Sequence, residues 1–288
     1  MQTLFTPLRR RWPLLTALLV ALLAGCASLE EQQRKWIFMP SSSTSAMPSW
    51  WGGRTEGMDD VWIEHVSAET GKPVRLHGLL LAHPRPDAPV LLYLHGARRT
   101  VAGSAFRMRH MQELGFAVLA VDYRGFGQST DELPSEATVY EDARAAWAWL
   151  DREHPGRDRY IFGHSLGGAI AVNLAGEVSD SKGLIVEGTF TSIPEVFQSF
   201  KWGWLPITPL ITQRFEAAHK IARVKTPVQV VHGSFDSLIR PELGRKLYEK
   251  AVSPKRFVLV EGGTHYSTSG VGSTQYRQAL KELFGLGV

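Results

Sequence analysis

Six short apolar runs that are continuous rather than alternating constrain the fold of this chain most strongly. They lie at 90–94, 117–121, 160–162, 184–186, 228–231 and 257–260. A strand that is apolar on both faces is buried on both faces, which is typical of a parallel sheet covered by helices. Helical stretches separate the runs, at roughly 104–114, 139–152, 167–177, 241–251 and 274–284. This alternation predicts a doubly wound, mostly parallel α/β sheet.

Two earlier segments follow a strand pattern of a different kind. Residues 61–66 alternate apolar and polar, and residues 74–81 follow them after a turn at 70–73. This arrangement predicts a hairpin that forms an antiparallel N-terminal edge of the sheet. We expect the main domain to span 61–288, with a spacer and N-terminal extension over 26–60. Because an apolar quartet would not be left in solvent, ordered structure is expected to begin near Trp36.

The first 25 residues have the layout of a secretion signal. A basic region ends at Arg11, and an apolar stretch from Trp12 to Leu23 is too short to span a bilayer comfortably. The tetrapeptide Leu23-Ala24-Gly25-Cys26 resembles the bacterial lipobox. That resemblance implies that residues 1–25 are removed and that Cys26 receives a diacylglyceryl thioether as the new N-terminus. With Ala rather than Asp next, it also implies sorting to the outer membrane, facing the periplasm.

The charge and cysteine content exclude several other kinds of protein. Three of the 32 basic side chains lie in the leader, which leaves 29 against 28 acidic ones. Because no basic stripe is interleaved with aromatic residues, no nucleic-acid partner is expected. Cys26 is the only cysteine, so no disulfide and no cysteine metal site are predicted. No metal or organic cofactor is expected, and the oligomeric state is left open.

The pentapeptide Gly163-His164-Ser165-Leu166-Gly167 stands between a predicted strand and a predicted helix. A serine on such a sharp turn has its hydroxyl exposed at the carboxyl end of a parallel sheet. The flanking glycines remove Cβ atoms that would clash at the turn. The segment therefore predicts a nucleophile at Ser165.

A serine nucleophile needs a base, and the base needs an acid that fixes its tautomer. In this architecture the chain order is serine, acid, histidine. Asp236 follows the strand at 228–231, and His265 follows the strand at 257–260, so both lie just beyond carboxyl strand ends. We predict Asp236 as the acid and His265 as the base, with Glu187 as the alternative acid.

Two backbone amides are expected to stabilise negative charge on a tetrahedral intermediate. One is the N–H of Leu166, directly after the predicted nucleophile. The other is the N–H of Ala97, because Gly96 allows a tight turn after the strand at 90–94. Arg98 and Arg99 follow in the same loop, and their role is left open between binding an anionic substrate group or lipid phosphate and lying in a solvated or salt-bridged loop.

The interval 192–224 is too long for a plain connection and is predicted to be a lid or cap over the strand ends. A pair of ordinary surface helices that cover the sheet is the alternative. The interval holds four aromatic residues, Phe197, Phe200, Trp202 and Trp204. Lid aromatics favour an apolar acyl chain in the substrate.

The serine turn, the His95-Gly96 pair, the segment 122–129, the Glu187-Gly188 pair and the Asp236 and His265 turns together resemble the α/β-hydrolase superfamily. Similarity is closest to its serine aminopeptidase-like branch, which includes membrane-associated protein depalmitoylases. The resemblance implies a membrane-anchored serine hydrolase that cleaves a carboxylic ester or thioester of a small-molecule or acylated substrate. Asp122 and Arg124 are expected to pair. A serine peptidase or amidase, and a non-catalytic envelope scaffold, stay open as alternatives.

Overall fold

The computed structural model describes residue 25, residues 27–40 and residues 55–287. Within these residues, eight strands form one sheet in the order β1-β2-β4-β3-β5-β6-β7-β8. Their bounds are β1 Asp59–Val66, β2 Pro73–Leu81, β3 Val90–Leu94, β4 Ala117–Val121, β5 Arg159–His164, β6 Gly183–Glu187, β7 Val228–Gly233 and β8 Lys255–Val260. Strand β1 pairs antiparallel with β2, and β2 with β4, whereas all other pairs are parallel. The predicted sheet and its antiparallel edge are confirmed.

Helices cover both faces of the sheet and create two apolar cores. Along β3, Leu92 and Leu94 face the core that includes α3 and α4, whereas Leu91 and Tyr93 face the core that includes α2 and α9. This division explains why the central runs are apolar at every position. The helices are α1 over 27–38, α2 Ala105–Glu113, α3 Glu136–Glu153, α4 Leu166–Glu177, α5 Ile193–Ser199, α6 Ala217–Lys220, α7 Pro241–Lys250, α8 Thr268–Val271 and α9 Ser273–Phe284.

Helix α1 lies in the predicted N-terminal extension and packs on the domain through one residue in particular. Phe38 is fully buried, and its ring contacts Phe215 edge-on at a centroid distance of 5.8 Å. Trp36, in contrast, is 71% exposed. None of the helices among the described residues is long and apolar enough to cross a membrane.

The expected pairing of Asp122 with Arg124 is wrong. The Arg124 guanidinium is fully buried and contacts Glu141 at 2.7 Å and Asp142 at 2.6 Å on α3. A buried guanidinium has five donors and needs several acceptors, which two adjacent carboxylates supply. Asp122 instead accepts a 2.8 Å hydrogen bond from the amide of Val101 and so holds the loop after β3.

Candidate active site

Ser165 occupies a strained turn between β5 and α4. Its backbone has φ 56° and ψ −122°, a combination that L-residues rarely adopt. A Cβ atom at Gly163 or at Gly167 would overlap backbone oxygens, of Gly167 and of Leu94 respectively. These two glycines therefore allow the strand, the turn and the helix to approach one another closely, as the sequence predicts.

Hydrogen bonds on both sides hold the Ser165 backbone in this conformation. Its amide donates to the Glu187 carbonyl at 2.9 Å, and its carbonyl accepts from Gly168 N and Thr189 Oγ1, each at 2.9 Å. The hydroxyl forms no hydrogen bond with any of the described residues and lines a cleft. Strain at a well-held residue is typical of functional sites.

Asp236 and His265 meet at the carboxyl ends of β7 and β8. His265 Nδ1 lies 2.7 Å from Asp236 Oδ2, and both side chains are buried. The other oxygen of Asp236 accepts hydrogen bonds from the amides of Leu238 at 3.0 Å and Ile239 at 2.8 Å. Burial alone would raise the pKa of Asp236, but hydrogen bonds from His232 and His265 outweigh it and hold the pKa below its usual range. Asp236 is therefore the ionised partner of His265.

The alternative acid, Glu187, is engaged elsewhere. Its carboxylate lies 3.3 Å from Arg107 Nη2 and accepts a hydrogen bond from the Tyr276 hydroxyl. Arg107 is fully buried and also lies 3.0 Å from His164 Nε2 and 3.4 Å from the His265 carbonyl oxygen. Burial first, then the charge of Arg107, holds the pKa of His164 well below its usual value, so that ring is neutral. This network supports the His265 loop from beneath, and sequence reasoning missed Arg107 because a lone arginine in an ordinary helix carries no signal.

Ala97 and Leu166 line the same cleft as Ser165. Neither backbone amide donates a hydrogen bond to an acceptor in the described part of the chain. Gly96 brings the loop against the turn, because a Cβ there would lie only 3.0 Å from the Ser165 Cβ and 3.2 Å from the His164 carbonyl oxygen. Two donors are therefore available beside the serine.

The cleft has a volume of about 500 Å³ and is lined mostly by apolar side chains. Phe197 and Phe200 of the predicted lid line it. Trp202 and Trp204 of the same segment do not line it and are 58% and 72% exposed. The rest of the wall has several sources, namely Trp36, Ile37, Met39, Phe190, Ile193, Val196, Leu238, Ile239 and Tyr266.

Both loop arginines line the cleft, but their surroundings differ. Arg98 is exposed and has φ 67°; its Nε donates to Met39 Sδ at 2.8 Å. Arg99 is buried, with its guanidinium 5.0 Å from the centre of the Tyr266 ring. Burial first, then the charge of Arg107, lowers the pKa of Arg99. Arg99 is therefore shielded from solvent, whereas Arg98 is exposed to it.

Cys26 and residues 1–24 of the predicted signal lie outside the described residues. Among the residues that the structure does describe, no group of three or more His, Cys, Asp or Glu side chains could hold a metal ion.

Comparison with known proteins gives the relatives of this chain. The family model for serine aminopeptidase, S33, matches residues 85–221. An uncharacterized protein of Mycobacterium tuberculosis is 34% identical over 243 residues, which are 81% of this chain and 80% of the relative. A lysophosphatidylserine lipase of Danio rerio is 32% identical over 185 residues, 58% of this chain and 48% of the lipase. The chain thus matches about half the length of that lipase.

Solved structures of similar fold include two esterases. An esterase of Pyrococcus furiosus has a TM-score of 0.64 at 18% identity, covering 84% of this chain and 96% of that one. An esterase of Butyrivibrio proteoclasticus has a TM-score of 0.59 at 19% identity, covering 77% and 96%. At these identities the likeness concerns the fold alone.

Proposed function

Because the chain belongs to the α/β-hydrolase superfamily and is a serine hydrolase, we propose that it cleaves carboxylic esters or thioesters through an acyl-enzyme intermediate. Ser165 is the proposed nucleophile, His265 the base and Asp236 the acid. The observation that carries the proposal is the 2.7 Å contact between Asp236 and His265 beside the same cleft that the Ser165 hydroxyl lines.

The reaction that we propose has two halves. In the first, Ser165 Oγ attacks the ester carbonyl carbon while His265 takes the hydroxyl proton. The resulting oxyanion accepts hydrogen bonds from the backbone N–H groups of Ala97 and Leu166. The intermediate collapses, the bond to the leaving group breaks, and His265 gives the proton to the departing oxygen or sulfur. In the second half, water attacks the acyl-serine while His265 takes one water proton. The intermediate collapses, the bond to Ser165 Oγ breaks, and His265 returns the proton to Ser165 Oγ as the carboxylic acid leaves. The Asp236 carboxylate stabilises the imidazolium formed in each half.

An acyl chain is the substrate group that the cleft supports best. Its apolar wall and volume of about 500 Å³ suit one chain rather than a large polar substrate. The similarity to a lysophosphatidylserine lipase favours a single-chain lipid ester. An aminopeptidase needs an acidic group to hold the substrate ammonium, whereas no Asp or Glu is among the described residues that line the cleft. Ester hydrolysis is therefore favoured over amide hydrolysis.

We also propose that the enzyme acts at a membrane, held by a lipid on Cys26. Support comes from the basic and apolar leader, the small residues before Cys26 and its place as the only cysteine. Ala27 favours the outer membrane, facing the periplasm. Multiple acyl chains on one residue would hold the protein more firmly than a single chain.

A hydrolysis profile tests the proposed activity. Purified protein and its Ser165→Ala variant are compared on p-nitrophenyl esters of rising chain length, acyl thioesters and aminoacyl amides, and by labelling with a fluorophosphonate. We expect Ser165-dependent labelling and a preference for longer acyl esters. Absence of labelling in folded protein would support the non-catalytic alternative, and a preference for aminoacyl amides would support the peptidase.

A further inference from the structure

We infer that the rim of the cleft is a membrane-docking face that sits on an anionic lipid bilayer, so that lipid substrate enters the cleft directly from the bilayer. The inference deepens the proposed function and rests on it. We call this face the rim patch. Its members are Leu29, Trp36, Met39, Phe200, Trp202, Trp204, Ile207 and Leu210.

Exposed apolar side chains are concentrated in the rim patch. Half of the exposed large apolar residues in the described part of the chain fall in two short segments, 27–40 and 200–210. Trp36, Trp202 and Trp204 are 71%, 58% and 72% exposed. Single exposed apolar residues are common on soluble proteins, but a contiguous group with three tryptophans marks a binding surface.

Contacts between the two segments join them into one surface. The Gln33 side chain donates to the Leu210 carbonyl at 2.8 Å and accepts from the Thr212 amide at 2.9 Å. Leu29 and Trp36 lie four residues before and three after Gln33, so the helix places them on the same side. Helix α1 therefore presents its exposed apolar side chains beside those of the lid.

The rim patch is continuous with the cleft that holds Ser165. Trp36 and Met39 line the cleft from α1 and the residues after it, and Phe200 lines it from the lid. Phe200 is also 45% exposed, so it contacts both the interior of the cleft and the solvent outside. A lipid chain that leaves a bilayer under the patch would reach the cleft without crossing water.

Composition favours a bilayer over a protein partner. Tryptophan prefers the membrane–water interface, where its ring is apolar and its N–H meets water. Lys201 lies over the Trp202 ring at 5.7 Å and places a positive charge beside the tryptophans, whereas Arg214, the other basic residue of 200–214, pairs with Glu216 at 2.8 Å. A lysine at a membrane surface is attracted to anionic lipids.

The course of the chain places the proposed anchor close to the patch. Cys26 directly precedes the described helix at 27–38. The nine residue-to-residue steps of helix from 27 to Trp36 span about 14 Å at the usual rise per residue. A lipid at Cys26 would therefore keep the rim patch within reach of the bilayer surface.

Single-cysteine labelling tests the orientation. The full chain is purified from bacterial membranes and reconstituted in vesicles of phosphatidylethanolamine and phosphatidylglycerol. Because Cys26 is the only natural cysteine, Trp204→Cys introduces one thiol for a fluorescent NBD label. Val252→Cys is the matched control. Val252 is 73% exposed but lies in the loop between α7 and β8, at the amino ends of the parallel strands and so opposite the cleft.

We expect nitroxide lipids to quench the label at position 204 and to leave the label at position 252 unquenched. Equal quenching at the two positions would overturn the docking face. A label at 204 that is shielded from water but not quenched by lipid would mean a second copy or a protein partner, which also overturns it. If the NBD label reacts with the parent chain, the Cys26 thiol is free, and the anchor proposal alone fails. In that case the quenching at positions 204 and 252 is compared in full chains that also carry Cys26→Ser.

Activity gives an independent readout of the same face. The double variant Trp202→Ser with Trp204→Ser changes residues that do not line the cleft. We expect hydrolysis of p-nitrophenyl acetate to be unchanged and hydrolysis of a single-chain ester in vesicles to fall about tenfold, because two interfacial side chains are lost. Equal activity on vesicles would overturn the inference, whereas loss of both activities in the parent protein would count against the proposed function instead.

Discussion

Ser165 is held in a backbone conformation that costs stability, with φ 56° and ψ −122°. Such conformations cost of order 1–3 kcal/mol at a non-glycine residue. We predict that Ser165→Gly is about 1 kcal/mol more stable to urea unfolding than Ser165→Ala, because glycine relieves the strain that alanine keeps. Both variants lack the hydroxyl, so both should lose activity by on the order of 10⁶-fold in kcat. Equal free energies of unfolding of the two variants would contradict the claim that the backbone at Ser165 is strained.

The two candidate acids are distinguished by what each side chain contacts. We predict that Asp236→Asn lowers kcat by about 10⁴-fold, because His265 loses the carboxylate that sets its tautomer. Glu187→Gln should act mainly on stability, since it leaves the buried Arg107 without its ionised partner. Ester hydrolysis per folded molecule, with urea unfolding alongside, measures both effects. A larger kcat loss in Glu187→Gln than in Asp236→Asn would reverse the assignment.

The ionised state of Asp236 also predicts a pH dependence of stability. Its pKa is lower in the folded protein than the usual unfolded value near 3.9. A lowered pKa stabilises the folded state above the unfolded value, and that contribution is lost as the pH falls through the folded value. We therefore expect the stability gap between the parent protein and Asp236→Asn to be constant above about pH 4 and to narrow in more acid solution. Urea unfolding at stepped pH measures the gap, and a gap that widens in acid would contradict this.

At the scale of elements, the six apolar runs predicted β3 to β8, and the alternating segment with its hairpin partner predicted β1 and β2. Helices α2, α3, α4, α7 and α9 were also predicted, with boundaries within a few residues. Parallel burial makes this possible, because a run that is apolar on both faces has few alternatives. Helix α1 was not predicted. Its residues 27–35 are mostly polar, and it is held by the buried Phe38 and the Gln33 side chain, neither of which creates a periodic pattern.

The sequence likewise predicted some residues of the candidate site and missed others. Ser165, Asp236 and His265 follow strand ends, so their placement at one end of the sheet could be expected from topology alone. The Arg107 network joins α2 to the loop after β8 across 158 positions, and no local pattern carries such a contact. The exposure of Trp202 and Trp204 likewise depends on how the lid folds over the cleft rather than on residue type.

Helix α1 forms one wall of the cleft, which predicts a selective effect of loosening it. Phe38→Ala removes a fully buried ring that packs against Phe215 of the lid. We expect a cost of about 3 kcal/mol in unfolding free energy, together with a raised KM for long-chain esters and little change for acetate esters. Comparing KM across p-nitrophenyl esters of rising chain length tests whether α1 shapes the cleft. A uniform change at all chain lengths would mean that α1 supports the fold without shaping the cleft.

At the scale of the whole molecule, the two ends of the parallel strands differ. The carboxyl ends of the parallel strands carry Ser165, Asp236 and His265, and the rim patch lies beside them. Val252, at the opposite end, is one of few large apolar side chains exposed away from that side. A single anchored orientation would satisfy both the chemistry and the exposed apolar surface, because the same end of the molecule would face the lipid.

That orientation depends on whether Cys26 carries a lipid. We predict that the purified protein begins at Cys26, so that its intact mass lacks the first 25 residues and gains a diacylglyceryl group. Cys26→Ser removes the thiol on which the thioether forms, and by the lipobox resemblance this also blocks removal of the leader. The variant should therefore be heavier in its protein part and take up no alkyne-labelled palmitate, whereas Val252→Ser is processed like the parent. Identical processing of Cys26→Ser and the parent would rule out the lipid anchor and leave the rim patch as the main contact of the enzyme with a membrane.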